Sequence, residues 1–383
     1  MNVLIISSWY PSKDNYISGI FVYEQVMALK KVGLNPIVFY PFDKSIEKNK
    51  LLVKDEDGII TYRSNTDYMR ISKISTINSL LKSLKFLDKI VMENNIDLIH
   101  SHVCYTAGFI TALYNKFYKK IPFIITEHSS KIGEFSQRWY NRKLFAFSYK
   151  NASKVVTVSK SLEHELRDIG YNFKSEIIGN VVNTDDFSIK YSKEAKDEFK
   201  ILFIGLMGDN EVKGIQYLLP AIRDFIKNHT NYKIKLTLVG GGSKLDKYKN
   251  LSKDLSIENY CEFKGNVHKE EIKEFIKDND FLVLPSVKET FGSVLIESMS
   301  GGKPVLATKC GGPEEFVVDT VGILVEPKEI AELENGILYM IENYDKFNSQ
   351  IIRKYALDNF SYEAIGNKLK LLYINVSRID GGI

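Results

Sequence analysis

The chain has 383 residues, enough for two α/β domains rather than one. Hydrophobic residues make up 44% and charged residues 26%, ordinary for a globular protein, and a formal net charge of +4 is too small to indicate nucleic-acid binding through bulk charge. No stretch approaches the roughly 18 to 20 apolar residues of a membrane span, and Met1 to Ser7 lacks the basic start and long apolar run of a secretory signal.

Short apolar runs alternate with longer amphipathic stretches along the chain. Val3–Ser7, Pro36–Tyr40, Asp97–His100, Pro122–Thr126 and Lys154–Val158 read as one series of strands. Polar, charge-rich residues 188–200 interrupt the pattern and read as a linker. A second series follows at Ile201–Gly205, Ile234–Val239, Tyr260–Lys264, Asp280–Leu284 and Pro304–Ala307. Strands alternating with helical stretches predict parallel sheets with right-handed crossovers, hence two Rossmann-like domains facing a cleft. After Lys213, the residues Ile215, Leu218, Leu219, Ile222, Phe225 and Ile226 form one apolar stripe at helical spacing. Pro220 inside that stripe predicts a kink, or a helix that starts later than the pattern. Ile365, Leu369, Leu372 and Tyr373 give the last stretch a helical face. Cys104, Cys261 and Cys310 are widely spaced, so a reduced cytoplasmic chain without structural zinc is expected.

Glu289 and Glu297 stand eight positions apart in Glu-Thr-Phe-Gly-Ser-Val-Leu-Ile-Glu, directly after the apolar run that ends at Pro285. Gly292-Ser293 opens the next helix, which places Glu289 in the loop at a strand's carboxyl end and Glu297 about one turn into the helix. Ligands of open α/β sheets bind at that edge, and free N–H groups of a helix start suit hydroxyl- and phosphate-bearing molecules. Taken alone, the pair reads more readily as two solvated glutamates.

Other segments fall in one collinear order. They are Gly19-Ile-Phe, His100-Ser-His102, Thr126-Glu-His128 and Asn180-Val-Val-Asn-Thr-Asp185 in the first half. The second half adds Val-Lys213-Gly214, Gly240-Gly241-Gly242, Phe263-Lys-Gly265-Asn-Val267, Gly311-Gly312-Pro313-Glu314 and Gly322. With the Glu289–Glu297 segment they resemble the retaining glycosyltransferases of the GT-B fold, family 4 (glycosyl transferases group 1), over most of the chain.

The resemblance implies an N-terminal acceptor-side domain at 1–187, a linker at 188–199 and a nucleotide-sugar-binding domain at 200–360, with 361–383 crossing back onto the first. It implies transfer of a hexose, with retention and without metal, from a UDP- or GDP-linked donor to a sugar or lipid-linked acceptor. Surface polysaccharide or glycolipid synthesis at the inner face of the membrane is the expected setting. No cofactor is implied. By the same resemblance Lys213 is expected to offset the diphosphate charge, Glu289 to bind the sugar hydroxyls with the N–H groups of Phe291 and Gly292, and Glu297 to bind the ribose. His128 is expected to face the reacting centre, and Gly19, Gly205, Gly241, Val267 and Ser293 to complete the donor site.

The chain departs from the family at Gly205-Leu206-Met207, where many members carry an arginine that is a second diphosphate cation. That substitution keeps a non-catalytic nucleotide-binding subunit open as an alternative, beside another GT-B enzyme such as a phosphorylase or epimerase. Asp55-Glu-Asp57 and Asp278-Asn-Asp280 match a short metal-binding pattern but read as solvated turns. Lys116, Lys119, Lys120, Arg138, Arg142 and Lys143, mixed with Phe117, Tyr118, Trp139 and Tyr140, are a candidate surface for anionic lipid. Asp43–Asp57 and Ser129–Arg142 are expected to be the loops that select the acceptor.

Overall fold

The computed structural model of the chain describes residues 1–66, 73–189 and 197–380, so most of the expected linker at 188–199 lies outside the described residues. The chain divides into two compact units, Met1–Val181 with Tyr362–Ile383, and Val182–Ser361.

In the first unit the buried runs become strands: β1 (Asn2–Ser7), α1 (Ile20–Lys31), β2 (Asn35–Tyr40), β3 (Leu51–Glu56), β4 (Ile59–Ser64), α2 (Lys73–Asn94), β5 (Leu98–His102) and α3 (Phe109–Phe117). β6 (Phe123–Glu127), α4 (Ile132–Ser136), α5 (Trp139–Asn151), β7 (Lys154–Thr157), α6 (Lys160–Asp168) and β8 (Ser175–Ile177) follow. They form one sheet of order β3-β4-β2-β1-β5-β6-β7-β8. Val3 to Ile6 are fully buried, as expected of a parallel strand covered on both faces.

Two expected loops contain regular structure. Within Asp43–Asp57 the edge strand β3 runs antiparallel to β4, so the sheet is not wholly parallel. Asp57 (φ 56°) and Gly58 (φ 71°) make the two-residue turn between them, with both central residues in the left-handed region that such hairpins need. Buried Arg63 ties the hairpin down: its guanidinium donates to Glu56 at 2.7 Å, to Asp43 at 2.8 Å and to the Pro11 carbonyl at 2.9 Å. Within Ser129–Arg142 lie α4 and the start of α5.

The second unit runs β9 (Phe199–Ile204), α7 (Ile215–Asn228), β10 (Ile234–Val239), α8 (Leu245–Asp254), β11 (Cys261–Gly265), α9 (Lys269–Asp278) and β12 (Phe281–Leu284). It continues with α10 (Ser293–Ser300), β13 (Val305–Thr308), β14 (Gly322–Val325), α11 (Ile330–Glu342) and α12 (Ser349–Phe360). Its sheet has the order β11-β10-β9-β12-β13-β14, with every pairing parallel. α7 begins at Ile215, not later, and carries Pro220 inside it. Burial of Ile215, Leu218, Leu219, Ile222 and Phe225 outweighs the one backbone bond that proline removes. Residues 182–187 group with this unit rather than the first, since Val182 N–H donates to the Phe360 carbonyl at 3.0 Å and Arg353 Nη1 to the Phe187 carbonyl at 2.6 Å.

The final helix, α13 (Tyr362–Asp380), returns to the first unit. Its Ile365, Leu369 and Tyr373 enter the core with Val22, Val26 and Leu29 of α1. Tyr373 is fully buried and its hydroxyl meets His100 Nδ1 at 2.6 Å, so a polar bond crosses an otherwise apolar layer. Tyr373→Phe strips one ring nitrogen of its partner in a site that excludes water. It is expected to destabilise the first unit by about 1–3 kcal/mol, read as a lower unfolding midpoint in urea.

Candidate functional site

Each sheet has one point where the strand order reverses direction, and ligands of open α/β sheets bind at the carboxyl edge there. In the second unit that point lies between β9 and β12. The loop after β9 carries Lys213 and the loop after β12 carries Glu289, and the two side chains are bonded, Lys213 Nζ to Glu289 Oε1. The same Oε1 accepts from Ser286 Oγ at 2.7 Å. The Glu289 side chain is 11% exposed and that of Lys213 26%, so the pair is sheltered yet open to solvent on one side.

Backbone packing makes this meeting possible. Gly214 is the left-handed N-cap of α7 (φ 73°), and a Cβ there would come within 1.8 Å of the Pro285 carbonyl oxygen. Only glycine lets the two loops lie that close. Glu289 is fixed through its own backbone as well: its N–H donates to the Cys310 carbonyl at 3.0 Å and its carbonyl accepts from Gly312 N–H at 2.9 Å. Gly292 caps α10, whose first residue is Ser293, and Glu297 lies further along that helix, half-buried. Phe291 is buried, with its ring against Phe316 at 4.9 Å between centroids.

The neighbouring strand ends are laced together. Gly205 N–H donates to the Val239 carbonyl at 3.0 Å, Met207 N–H to the Gly241 carbonyl at 2.8 Å, and Gly240 N–H to the Gly265 carbonyl at 2.8 Å. Val267 follows in the loop after β11, half-buried. Thus Gly205, Lys213, Gly241, Val267, Glu289, Phe291, Gly292, Ser293 and Glu297 all lie on one edge of one sheet or on the helix that leaves it. Leu206 stands on this edge too, 66% exposed.

In the first unit the reversal lies between β1 and β5. Gly19, the left-handed N-cap of α1 (φ 72°), would set a Cβ within 2.2 Å of the Trp9 carbonyl oxygen, so the loop after β1 folds tightly on itself. Phe21 on α1 packs on the His128 ring at 4.4 Å. His102 Nδ1 and His128 Nε2 are 3.0 Å apart, one donating to the other, and the His102 ring lies 4.3 Å from that of His100. His100 in turn bonds Thr126 Oγ1 at 2.6 Å through Nε2. All three histidines are buried, and burial keeps them neutral: His100 and His128 are pushed down to about 3, and His102 falls well below the usual histidine range.

Sequence reasoning did not single out the supports of this edge. Glu127 is fully buried, which pushes its carboxyl up, while it accepts from the N–H groups of Cys104, His128 and Ser129 at 3.0–3.1 Å and from the Tyr149 hydroxyl at 2.9 Å. Val103, a β-branched residue at φ 72°, is strained by about 1–3 kcal/mol and leads into a single π turn at Cys104–Gly108. The Thr-Glu-His string at a strand end was the available signal for Glu127; nothing local marks Val103. Asp55 accepts the Gly58 N–H at 2.7 Å in the β3–β4 turn, whereas Asp280 accepts the Lys200 N–H at 2.8 Å, a bond from the start of β12 to the neighbouring strand β9. Among the described residues no group of three or more His, Cys, Asp or Glu side chains is arranged to hold a metal ion.

The depressed histidines carry a pH prediction. An unfolded chain takes up these protons near 6.5, whereas the folded rings resist them until about pH 3. Stability is therefore full above 6.5 and falls as pH drops from 6.5 toward 3, because the unfolded state binds more protons in that window. NMR should find the ring resonances of His100 and His128 unchanged between pH 8 and 5; titration of either near 6.5 would contradict the buried, neutral assignment.

Residues 18–186 match the family model described as Glycosyltransferase Family 4, and residues 184–356 match Glycosyl transferases group 1. An uncharacterized glycosyltransferase of Methanocaldococcus jannaschii is 30% identical over 347 residues, which cover 90% of this chain and 89% of that protein. Sucrose-phosphate synthase from Thermosynechococcus elongatus superposes with a TM-score of 0.78 at 20% identity, over 98% of this chain and 99% of that one. The Anabaena protein HepE, solved in complex with UDP and glucose, gives 0.75 at 21% identity, over 98% of this chain and all 100% of that one. The chain belongs to the family 4 glycosyltransferases and has their GT-B fold.

Proposed function

We propose that this glycosyltransferase uses a nucleotide-diphosphate sugar, UDP- or GDP-linked, and transfers its hexose with retention and without a metal to a sugar or lipid-linked acceptor. The observation that carries the reading is the Lys213–Glu289 pair at the β9/β12 reversal, beside the N-termini of α7 and α10. A diphosphate brings about two negative charges, more than one carboxylate does, so it recruits Lys213 away from Glu289. The ammonium and the N–H groups at the start of α7 then oppose the charge that builds on the leaving phosphate. Glu289, released from Lys213, accepts from the sugar hydroxyls, with the Phe291 and Gly292 N–H groups donating to the same ring. Glu297 accepts from the ribose diol.

No side chain in this scheme takes the acceptor proton. The leaving phosphate oxygen assists its removal on the same face, the route that gives retention. His128 is a buried, neutral ring on the first unit. One of its nitrogens is spent on His102, so it shapes the site and does not shuttle protons. The HepE complex with UDP and glucose supports a uridine donor among the candidates.

The acceptor reading includes a membrane contact and a role in surface polysaccharide or glycolipid assembly at the cytoplasmic face. Among the described residues no helix is long and apolar enough to cross a membrane, and the contact proposed is a peripheral one. Phe117 and Trp139 stand 68% and 70% exposed on the first unit, with Lys116 Nζ 5.6 Å from the Phe117 ring and Lys143 Nζ 5.0 Å from the Trp139 ring. That mixture suits an anionic interface. Co-sedimentation with phosphatidylglycerol vesicles at low salt is expected, and its loss on Phe117→Ser with Trp139→Ser. No pelleting of the wild type removes the membrane contact.

A thermal-shift and hydrolysis screen of UDP- and GDP-sugars, in EDTA, tests the donor reading. One donor is expected to stabilise the wild type and to be slowly hydrolysed. Glu289→Gln and Lys213→Ala are each expected to lower turnover at least about tenfold. Wild-type rates in both variants would sink the assignment, and activity that needs manganese would end the metal-free scheme.

A further inference from the structure

We infer that Ser286 is a positioning residue for donor-sugar recognition, the internal restraint that keeps the Glu289 carboxylate aimed once Lys213 has left it. The inference rests on the reading of Glu289 as the sugar ligand and goes beyond it to a residue three positions earlier. Ser286 is fully buried at the exit of β12, and its hydroxyl donates to Glu289 Oε1 at 2.7 Å. Lys213 donates to that same oxygen. Among the described residues both side-chain bonds to this carboxylate fall on Oε1, which leaves Oε2 for other donors.

The two donors differ in what a nucleotide does to them. Lys213 is a flexible, partly exposed cation that a diphosphate attracts away. Ser286 is uncharged and buried, and nothing in a phosphate competes for it there. Its own backbone is held from the next strand: Thr308 Oγ1, also fully buried, donates to the Ser286 carbonyl, while Val287 N–H donates to the Val212 carbonyl at 2.7 Å. The loop after β9, the loop after β12 and the end of β13 therefore all hold the segment whose hydroxyl fixes the carboxylate. With Lys213 on the diphosphate, Ser286 is the one remaining side-chain bond that selects a Glu289 rotamer, and a freely rotating carboxylate recognises sugar hydroxyls poorly.

The test separates sugar recognition from nucleotide binding, using whichever of UDP-glucose, UDP-N-acetylglucosamine and GDP-mannose stabilises the wild type, and the matching free nucleoside diphosphate. Ser286→Ala is expected to lower kcat/KM for the donor about tenfold while leaving the Kd of the free diphosphate within about twofold. Ser286→Cys, which keeps the volume but donates weakly, is expected to fall between and stands in if the alanine variant does not fold. Combined with Glu289→Ala, which removes the acceptor oxygen, the serine change should cost little more, because both remove the same bond. Wild-type kcat/KM in Ser286→Ala with a damaged Glu289→Gln overturns this inference and leaves the Glu289 reading intact. Equal losses for donor and free diphosphate overturn it as well, since they mean a general distortion of the edge. Wild-type behaviour of Glu289→Gln, or stabilisation by none of the donors, removes the underlying reading and this inference with it.

Discussion

Gly214 sits against the carbonyl of Pro285 at a distance that no side chain allows, and the arrangement of the second unit's edge follows from that contact. It brings the loops after β9 and β12 together where the strand order reverses, which lets a lysine on one reach a glutamate on the other. The backbone of Glu289 is then stitched to the loop after β13 on its far side. Three strand exits share one rigid patch, and the chemistry-bearing side chains stand on elements that cannot drift apart without breaking buried bonds. A site that must tell one sugar from another gains from such rigidity, because positional error at a hydrogen bond is lost binding.

The strands that build both sheets were legible because burial on both faces leaves an unbroken apolar run. Val3–Ile6 and Phe281–Leu284 are examples, and each lies within a residue or two of its expected bounds. β3 was not legible for the opposite reason: as an edge strand it exposes Leu52, Val53 and Lys54, so its sequence reads as polar loop. Asp57-Gly58 was the missed signal, a dipeptide that favours the two-residue hairpin turn. Glu289 could be placed at a strand exit from its neighbours alone. Its partners Ser286 and Lys213 could not both be found that way, since Lys213 is 76 positions distant and meets it only through the fold. The pairing of His102 with His128 was hidden likewise, each ring being an unremarkable residue at the end of its own strand.

The first unit solves a different problem. Three imidazoles, two tyrosines and a carboxylate are buried in this network, and each such group costs stability unless its polar atoms are paired. They are paired mostly with one another: His100 with Tyr373 and Thr126, His102 with His128, Glu127 with Tyr149 and three backbone N–H groups. The link to Tyr373 makes α13 part of that network, so the last helix does more than cover apolar surface. Strain at Val103 beside these groups is tolerated because the surrounding bonds over-determine the turn, including Val103 N–H to the Thr126 carbonyl at 2.8 Å.

Charge balance at the second unit's edge leaves Lys213 with an unusual share of the work. Leu206, in the position where many family members hold an arginine, projects 66% exposed and offers a phosphate nothing. Two further lysines near this edge are paired with carboxylates, Lys247 Nζ with Glu211 at 2.5 Å and Lys244 Nζ 3.6 Å from Asp209. On the proposed donor reading, the Lys213 ammonium and the N-termini of α7 and α10 oppose the diphosphate, each helix end equivalent to about half a positive charge. On that reading the sum is about two charges, which matches a diphosphate when Lys213 gives up Glu289, and the carboxylate then depends on the rest of its surroundings for its orientation.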